Sequence, residues 1–217
     1  MPTPAPSPGT AQAPGAAAPR PLVDLEIGSG VFGRKRLILD EKTLQWGDER
    51  VPLIDVEAVA YGVTRTTYNG VPSGTNYSFF AWTHDRQTKV VLSTALVRSK
   101  AAREAYAEAF TTLANTFARL VEPRLRHALV ERVARGETVD VAGARLSSHG
   151  IEWHVHLRGT RSVTWDRFAG AGFHQGMVVV DPSRDGVRDP RAAFTVAMTE
   201  PNAVLLPDLL HELAGQR

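Results

Sequence analysis

Two separate stretches of the chain repeat one pattern of strand, turn and tryptophan, and this duplication limits the available folds more than any other feature. In Leu37–Trp46 an alternating apolar run meets a polar turn and then an apolar-x-Trp ending. Arg145–Trp153 repeats the same order of features later in the chain. Alternation with a period of two indicates strands that bury one face. The sequence therefore predicts two β-rich units of one plan.

Strand patterns fill the region from Leu22 to Leu92 and return after Gly136. Leu22–Ile27 and Arg34–Leu39 alternate apolar and polar side chains, and polar turns separate the runs that follow. Short strands with such turns between them are typical of an antiparallel sheet or a small barrel.

A helical segment over residues 98–135 lies between the two strand regions. Its apolar residues recur at intervals of four and three, which places them on one stripe of a helix. The residues of this stripe are Tyr106, Phe110, Leu113, Phe117 and Leu120. Ser99 is the expected N-cap, Pro123 is expected to kink or restart the helix, and Gly136 to end it. A short final helix is predicted over Leu206–Ala214.

An antiparallel unit followed by one amphipathic helix is the plan of a pleckstrin-homology-like (PH-like) barrel, because the helix can close the open corner between two nearly orthogonal sheets. We therefore expect an α+β fold of two tandem PH-like antiparallel β-barrels, each closed by a C-terminal helix and linked by a long helical segment. The predicted divisions are a disordered Pro/Ala-rich arm (1–21), a first PH-like domain (22–121), a helical linker (122–136) and a second PH-like domain (137–217).

Several motifs resemble those of a family of uncharacterised, mostly bacterial proteins that is classed as a domain of unknown function. These motifs are Leu53–Arg65, Tyr68-Asn69-Gly70, Gly74-Thr75, Tyr77, Glu122–Leu125 and Gly136–Val139. The resemblance spans about residues 22–214 and implies the fold rather than an activity. Members of the family often carry membrane segments, whereas this chain has no apolar run near the ~18 residues that span a bilayer.

Composition argues against several classes of function. The 25 Lys and Arg residues nearly balance 23 Asp and Glu, which is not the large basic excess of a dedicated nucleic-acid binder. Without cysteine there is no disulfide, thiolate zinc site or cysteine nucleophile. Neither a Gly-x-Ser-x-Gly elbow nor a phosphate-binding Gly-x-x-x-x-Gly-Lys loop occurs. We expect a protein that is not an enzyme, has no cofactor and binds no nucleic acid.

The best candidate for ligand binding is a predicted loop over Thr66–Asn76. Its backbone amides and hydroxyls, together with nearby Arg65, could hold an anion. The candidate residues are Arg65, Tyr68, Asn69, Gly70, Gly74 and Tyr77. A purely structural turn is the favoured interpretation of this loop, since Gly and Asn favour the left-handed backbone of turns.

Basic residues suggest a second surface, formed by Arg34 and Arg36. Strand alternation sends Lys35 to the opposite face, so only these two charges would act together. Residues 98–135 add eight Lys or Arg against four Glu on the helical segment. This excess indicates either a solvated face or a surface for an anionic membrane or an acidic partner.

Histidines of the second unit are weak candidates for a metal site. His154 and His156 are two residues apart, so on a strand they share a face, and His174 lies in the same unit. Ordinary exposed or hydrogen-bonded histidines are the favoured interpretation, and a metal-dependent enzyme is the third hypothesis for the function.

The leading hypothesis is a non-catalytic binding or scaffold protein for an unknown ligand or protein partner. The alternative is a peripheral membrane module that binds anionic lipid through Arg34, Arg36, Arg65 and the basic helical segment. We expect a cytoplasmic location, or the inner face of the membrane under the alternative hypothesis.

Overall fold

The computed structural model shows an α+β protein with four antiparallel sheets and three α-helices in the part of the chain that it describes. That part comprises residues 20–28, 34–95, 97, 99–155, 159–181 and 193–215. The α+β class and the antiparallel pairing confirm the sequence prediction. All of the predicted arm except Arg20 and Pro21 lies outside the described residues.

The first half runs from β1 to α1 and leads into α2. Its strands are β1 (Val23–Ile27), β2 (Lys35–Leu39), β3 (Thr43–Trp46), β4 (Glu49–Pro52), β5 (Ala58–Tyr68), β6 (Val71–Trp82) and β7 (Gln87–Ser93). The helices that follow are α1 (Lys100–Leu120) and α2 (Glu122–Ala134).

The second half repeats this order of elements. Its strands are β8 (Val139–Val141), β9 (Ala144–Ser147), β10 (Gly150–Val155), β11 (Gly159–Thr164), β12 (Gly170–His174), β13 (Met177–Asp181) and β14 (Phe194–Ala197). The last helix is α3 (Leu206–Gly215).

Each half forms a four-stranded meander and then a three-stranded meander. The strand orders are β1-β2-β3-β4, β5-β6-β7, β8-β9-β10-β11 and β12-β13-β14. The expected closure into barrels is not seen, because no ladder among the described strands joins the two sheets of either half. In the first half Pro52 ends β4, and a single 3-10 turn, Leu53–Asp55, carries the backbone away before β5 begins.

The residues predicted to begin, interrupt and end the helices do so in the structure. Ser99 caps α1 by accepting a hydrogen bond from the backbone amide of Ala102 at 3.3 Å. Pro123 lies in the first turn of α2, which restarts after Val121. Gly136 follows α2 with a φ of 86°, a left-handed conformation that ends a helix at low cost. None of the described helices is both long and apolar enough to cross a bilayer.

Two hydrophobic cores form, one in each half. Trp46 is buried in the first core and Trp153 in the second, as expected for matched positions of the repeat. The first core is completed from the far end of the chain. Val204 and Leu205, which precede α3, pack among the buried residues of β1–β7 and α1. The first half therefore depends on residues that follow the last strand of the second half in sequence.

Hydrogen bonds fasten the two halves along the edge of β5. The backbone amide of Asn202 donates to the carbonyl of Val59 at 2.9 Å, and the amide of Val59 donates to the side-chain oxygen of Asn202 at 3.0 Å. From α2, the Arg124 guanidinium donates to the carbonyl oxygen of Val56 at 2.6 Å. These bonds satisfy groups that an edge strand and a turn would otherwise expose.

Replacing the Leu205 side chain with alanine tests whether the residues before α3 stabilise the first half. Leu205 is fully buried in the first core, so Leu205→Ala should lower the free energy of unfolding by about 2–5 kcal/mol. Denaturant unfolding followed by circular dichroism measures this change. Ile54→Ala is the control, since Ile54 is 70% exposed and should change the free energy of unfolding by less than ~0.5 kcal/mol. A similarly small loss for Leu205→Ala would contradict the shared core.

Candidate functional site

The β5–β6 hairpin is longer than the sheet to which it belongs. β5 and β6 pair from Ala58 opposite Trp82 to Tyr68 opposite Val71. By contrast, β7 stops pairing with β6 at Asn76, so the hairpin continues past the end of β7. The far end of the hairpin extends beyond the third strand of its sheet.

The prediction of a loop over Thr66–Asn76 is wrong, because these residues form the far part of this hairpin. Asn69 and Gly70 alone form the turn, with φ values of 50° and 77°. Two left-handed residues are what a tight two-residue hairpin turn requires. The glycines and serine around this turn concealed the strands from sequence reasoning, since they have low β propensity.

The core-facing side of the hairpin changes from buried to open along its length. Phe79 stacks on Tyr61 with ring centres 6.0 Å apart and meets the edge of Phe117 from α1 at 4.6 Å. Nearer the hairpin tip, Tyr77 contacts Phe110 of the same helix at 5.2 Å. Beyond this contact the hairpin and the first turns of α1 border a cleft.

We call this space the hairpin cleft; its volume is about 650 Å³. Its lining residues are Arg65, Ser73, Gly74, Thr75, Tyr77, Thr94, Ala95, Val97 and Arg103. Three of the predicted ligand-binding residues, Arg65, Gly74 and Tyr77, are therefore together in one cleft. Arg103, which the sequence analysis did not select, joins them from α1.

The positions of the two arginines follow from the strand register and the helix period. Arg65 lies on β5 opposite Thr75 of β6. Arg103 lies seven residues before Phe110, which is two turns along the same face of α1. The heptad spacing from Phe110 back to Arg103 was the signal that could have identified this residue.

A hydrogen-bonded pair of threonines, Thr75 and Thr94, holds the rim of the cleft in place. The amide of Thr75 donates to the hydroxyl of Thr94 at 2.8 Å, and the amide of Thr94 donates to the carbonyl of Thr75 at 2.9 Å. Thr94 is buried. The pair extends the bonding of β6 with the chain after β7 and holds the rim of the cleft at a fixed distance from the hairpin.

Gly74 permits the close approach of two backbone segments beside the cleft. A Cβ atom at this position would lie 2.5 Å from the Cα atom of Ala95. No real Cβ contact is that short, so any side chain here forces the hairpin and the segment after β7 apart.

Gly74→Ala should therefore lower the free energy of unfolding by about 1–3 kcal/mol, as overpacking does. Gly172→Ala is a matched strand control, because a Cβ there has open space. Thermal unfolding of both variants, compared with the parent chain, measures the difference. Equal midpoints for the two variants would contradict the close approach at Gly74.

The hairpin cleft is lined by two cations and no described acid. Among the residues that the structure describes, neither Arg65 nor Arg103 forms an ion pair. Each guanidinium presents a planar set of donors that matches a phosphate or carboxylate. The cleft can thus accept an anionic group in bidentate hydrogen bonds.

Arg34 and Arg36, by contrast, are matched by acids of the neighbouring strand. Arg34 lies 3.1 Å from the Glu26 carboxylate, and Arg36 makes a bidentate pair with Asp24 at 2.7 and 2.6 Å. The hydrogen bonds from Arg36 lower the pKa of Asp24. Arg36 lies on β2 of the first sheet and Arg34 directly precedes that strand, and neither lines the hairpin cleft.

The other residues predicted for this site do not line the cleft, or their side chains are not among those that the structure describes. Asn69 and Gly70 form the hairpin tip rather than the lining. The backbone of Tyr68 ends β5, whereas its side chain is not among those described.

The histidines do not assemble a metal site in the described structure. His154 is exposed on β10 and His174 is exposed at the end of β12, in two different sheets. His156 lies outside the described residues. No group of three or more His, Asp or Glu side chains that could hold a metal occurs among the residues searched, which are those described.

A second cleft, of about 710 Å³, lies against the three-stranded sheet of the second half. Gly170, Gly172 and Phe173 contribute to its lining, and Asp181 and Ala193 form the part next to residues 182–192. Because residues 182–192 lie outside the described structure, we assign no role to this cleft.

A partly buried hydrogen bond joins β5 to α2 at the contact between the halves. The Tyr61 hydroxyl donates to a Glu122 carboxylate oxygen at 3.0 Å. Burial raises the pKa of Glu122, and nearby Asp208 raises it further, whereas the bond from Tyr61 and the charge of Arg126 lower it. Burial and the Glu122 charge likewise raise the pKa of Tyr61. The charged form of Glu122 is therefore disfavoured in the folded state.

Glu122→Gln should raise the thermal midpoint at pH 7, because the amide removes a disfavoured charge and its oxygen still accepts from Tyr61. A raised folded-state pKa means that the folded protein binds the proton more tightly than the unfolded chain does. The stabilisation is thus present in acid and is lost as pH rises through that pKa. The difference in thermal midpoint between Glu122→Gln and the parent chain should become smaller as pH falls towards the ordinary glutamate pKa.

Glu41→Gln is the control for this prediction, because Glu41 forms an exposed pair with Arg119 at 3.5 Å. Exposed pairs contribute little to stability. A Glu122→Gln midpoint that stays below that of the parent chain at pH 7 would show that the carboxylate is instead favoured at this site.

In comparisons with known proteins, no protein-family model and no curated protein sequence matches the chain.

Proposed function

We propose that the chain is a non-catalytic binding protein built from two PH-like units, and that the hairpin cleft holds an anionic group of its ligand. The order of elements in each half supports the PH-like assignment. In both halves a four-stranded meander precedes a three-stranded meander, and a helix follows the last strand. The helix packs on the sheets and covers their apolar face.

The observation that carries the proposal is the pairing of Arg65 and Arg103 in a cleft without a lining acid. Two like charges that line one cleft repel each other. A ligand group with one or two negative charges removes this repulsion. The cleft is therefore more favourable with an anion than without one.

Two of the four hydroxyls that line the cleft donate to backbone carbonyls, which favours binding over catalysis. Ser73 donates to the carbonyl oxygen of Thr66 at 3.1 Å, and Thr94 donates to that of Thr75 at 3.2 Å. A nucleophilic hydroxyl would instead donate to a general base. A guanidinium has no acceptor atom, so neither lining arginine can serve as that base.

The partner of this site is either a protein with an acidic segment or an anionic membrane surface. A membrane surface that used Arg34 and Arg36 would compete with Glu26 and Asp24, which already pair with them. Arg65 is the predicted basic residue whose charge is available in the described structure. The expected location, the cytoplasm or the inner face of a membrane, stays a prediction.

Titration calorimetry with pyrophosphate at low ionic strength tests the anion site in the full chain. Arg65→Gln and Arg103→Gln should each weaken binding about tenfold or more, since a hydrogen bond to a charged group contributes about 1.5–3 kcal/mol. Arg161→Gln is the matched control, because Arg161 is exposed on β11 in the other half.

The control separates a specific site from general attraction to a basic protein. Equal weakening by all three substitutions would show attraction to net charge rather than binding in the cleft. Pyrophosphate that does not bind the parent chain at all would overturn the proposed anion site.

A further inference from the structure

We propose that the partner of the hairpin cleft is an anionic membrane surface, and that the tip of the β5–β6 hairpin enters the headgroup layer while Arg65 and Arg103 bind lipid phosphates. This inference rests on the proposed function, since it uses the same two arginines. It adds the chemical class of the partner and the direction from which the partner approaches.

The charge of the hairpin supports this choice. Residues 58–82, which comprise β5, the turn and β6, contain no Asp or Glu, and Arg65 is their only charged residue. An anionic bilayer repels acids and attracts cations within about a Debye length of its surface. The whole projecting element can therefore approach such a surface without electrostatic penalty.

An exposed valine at the tip distinguishes a membrane from a small soluble anion. Val71 is 66% exposed and directly follows the hairpin turn, so it lies nearer the tip than Arg65 does. A headgroup layer accepts cations at its phosphates and apolar side chains at the boundary with the acyl chains. A soluble phosphate would gain nothing from Val71.

The reach of the hairpin suits insertion of its tip alone. Thr94 still bonds to Thr75 and Ala95 lies beside Gly74, so the hairpin is clear of the neighbouring chain only from Ser73 to the turn. Arg65 lies opposite Thr75, and the β6 strand continues from Thr75 back to Val71 over about 14 Å at ~3.4 Å per residue. Interfacial elements bury their apolar side chains about 5–10 Å deep, so Val71 can reach that depth while Arg65 stays at the phosphate level.

Cosedimentation of the full chain with lipid vesicles tests the inference. Vesicles of phosphatidylcholine and phosphatidylserine should retain the protein, whereas vesicles of phosphatidylcholine alone should not, and added salt should release it. Arg65→Gln and Arg103→Gln should each reduce partitioning about fivefold, the equivalent of about 1 kcal/mol per basic residue. Arg161→Gln should leave partitioning within twofold of the parent chain.

A labelled cysteine reports whether the hairpin itself enters the membrane. The chain has no cysteine, so Val71→Cys provides a unique site for an environment-sensitive fluorophore. Its emission should shift to the blue on anionic vesicles. Thr160→Cys, exposed on β11 of the other half, should show no shift. A protein that binds vesicles without a shift at position 71 contacts them through another surface, and the inference is then overturned.

The pyrophosphate titration separates failure of this inference from failure of the proposed function. If pyrophosphate binds but anionic vesicles do not retain the protein, the membrane inference is overturned. The same cleft then serves an acidic soluble partner. Retention that is equal on both vesicle types also overturns it. If neither pyrophosphate nor anionic vesicles bind, the membrane inference and the anion site fail together.

Discussion

The long ladder between β5 and β6 is the constraint on which both the fold and the candidate site depend. At its start, Val59 exchanges hydrogen bonds with Asn202 from the end of the second half. In its middle, Tyr61 stacks on Phe79 in the first core. At its far end, Arg65 lines the hairpin cleft. One continuous pair of strands thus connects the contact between the halves, the first core and the hairpin cleft. The position of Arg65 therefore depends on the packing at each of these three places.

The arginines of the hairpin cleft differ from the predicted surface arginines in whether an acid pairs with them. Arg34 and Arg36 carry the same charge as Arg65, but each forms an ion pair with an acid of β1. Such exposed pairs contribute little stability and lower the local potential. The lone charge on β5 and β6 has no cross-strand acid, because those strands contain none. Strand pairing therefore decides which arginines are available to an anion.

Local signals were readable from the sequence, whereas long-range contacts were not. Ser99, Pro123 and the α1 stripe follow rules set by residues within a few positions, and each acts as expected. The hairpin beyond Thr66 was mistaken for a loop because its register depends on the Asn69-Gly70 turn rather than on apolar alternation. Leu205 joins the first core through a return of the chain that no local pattern encodes.

The difference between the two halves indicates a division of roles within one repeated plan. β12 and β13 occupy the places of β5 and β6 and end in a turn of the same kind, with Gln175 and Gly176 at φ values of 48° and 78°. These strands have 5 residues each, against 11 and 12 in the first half. The short hairpin does not project, and the segment that follows its sheet instead supplies Asn202 and Leu205 to the first half. The second half therefore supports the base of a hairpin that the first half extends beyond its own sheet.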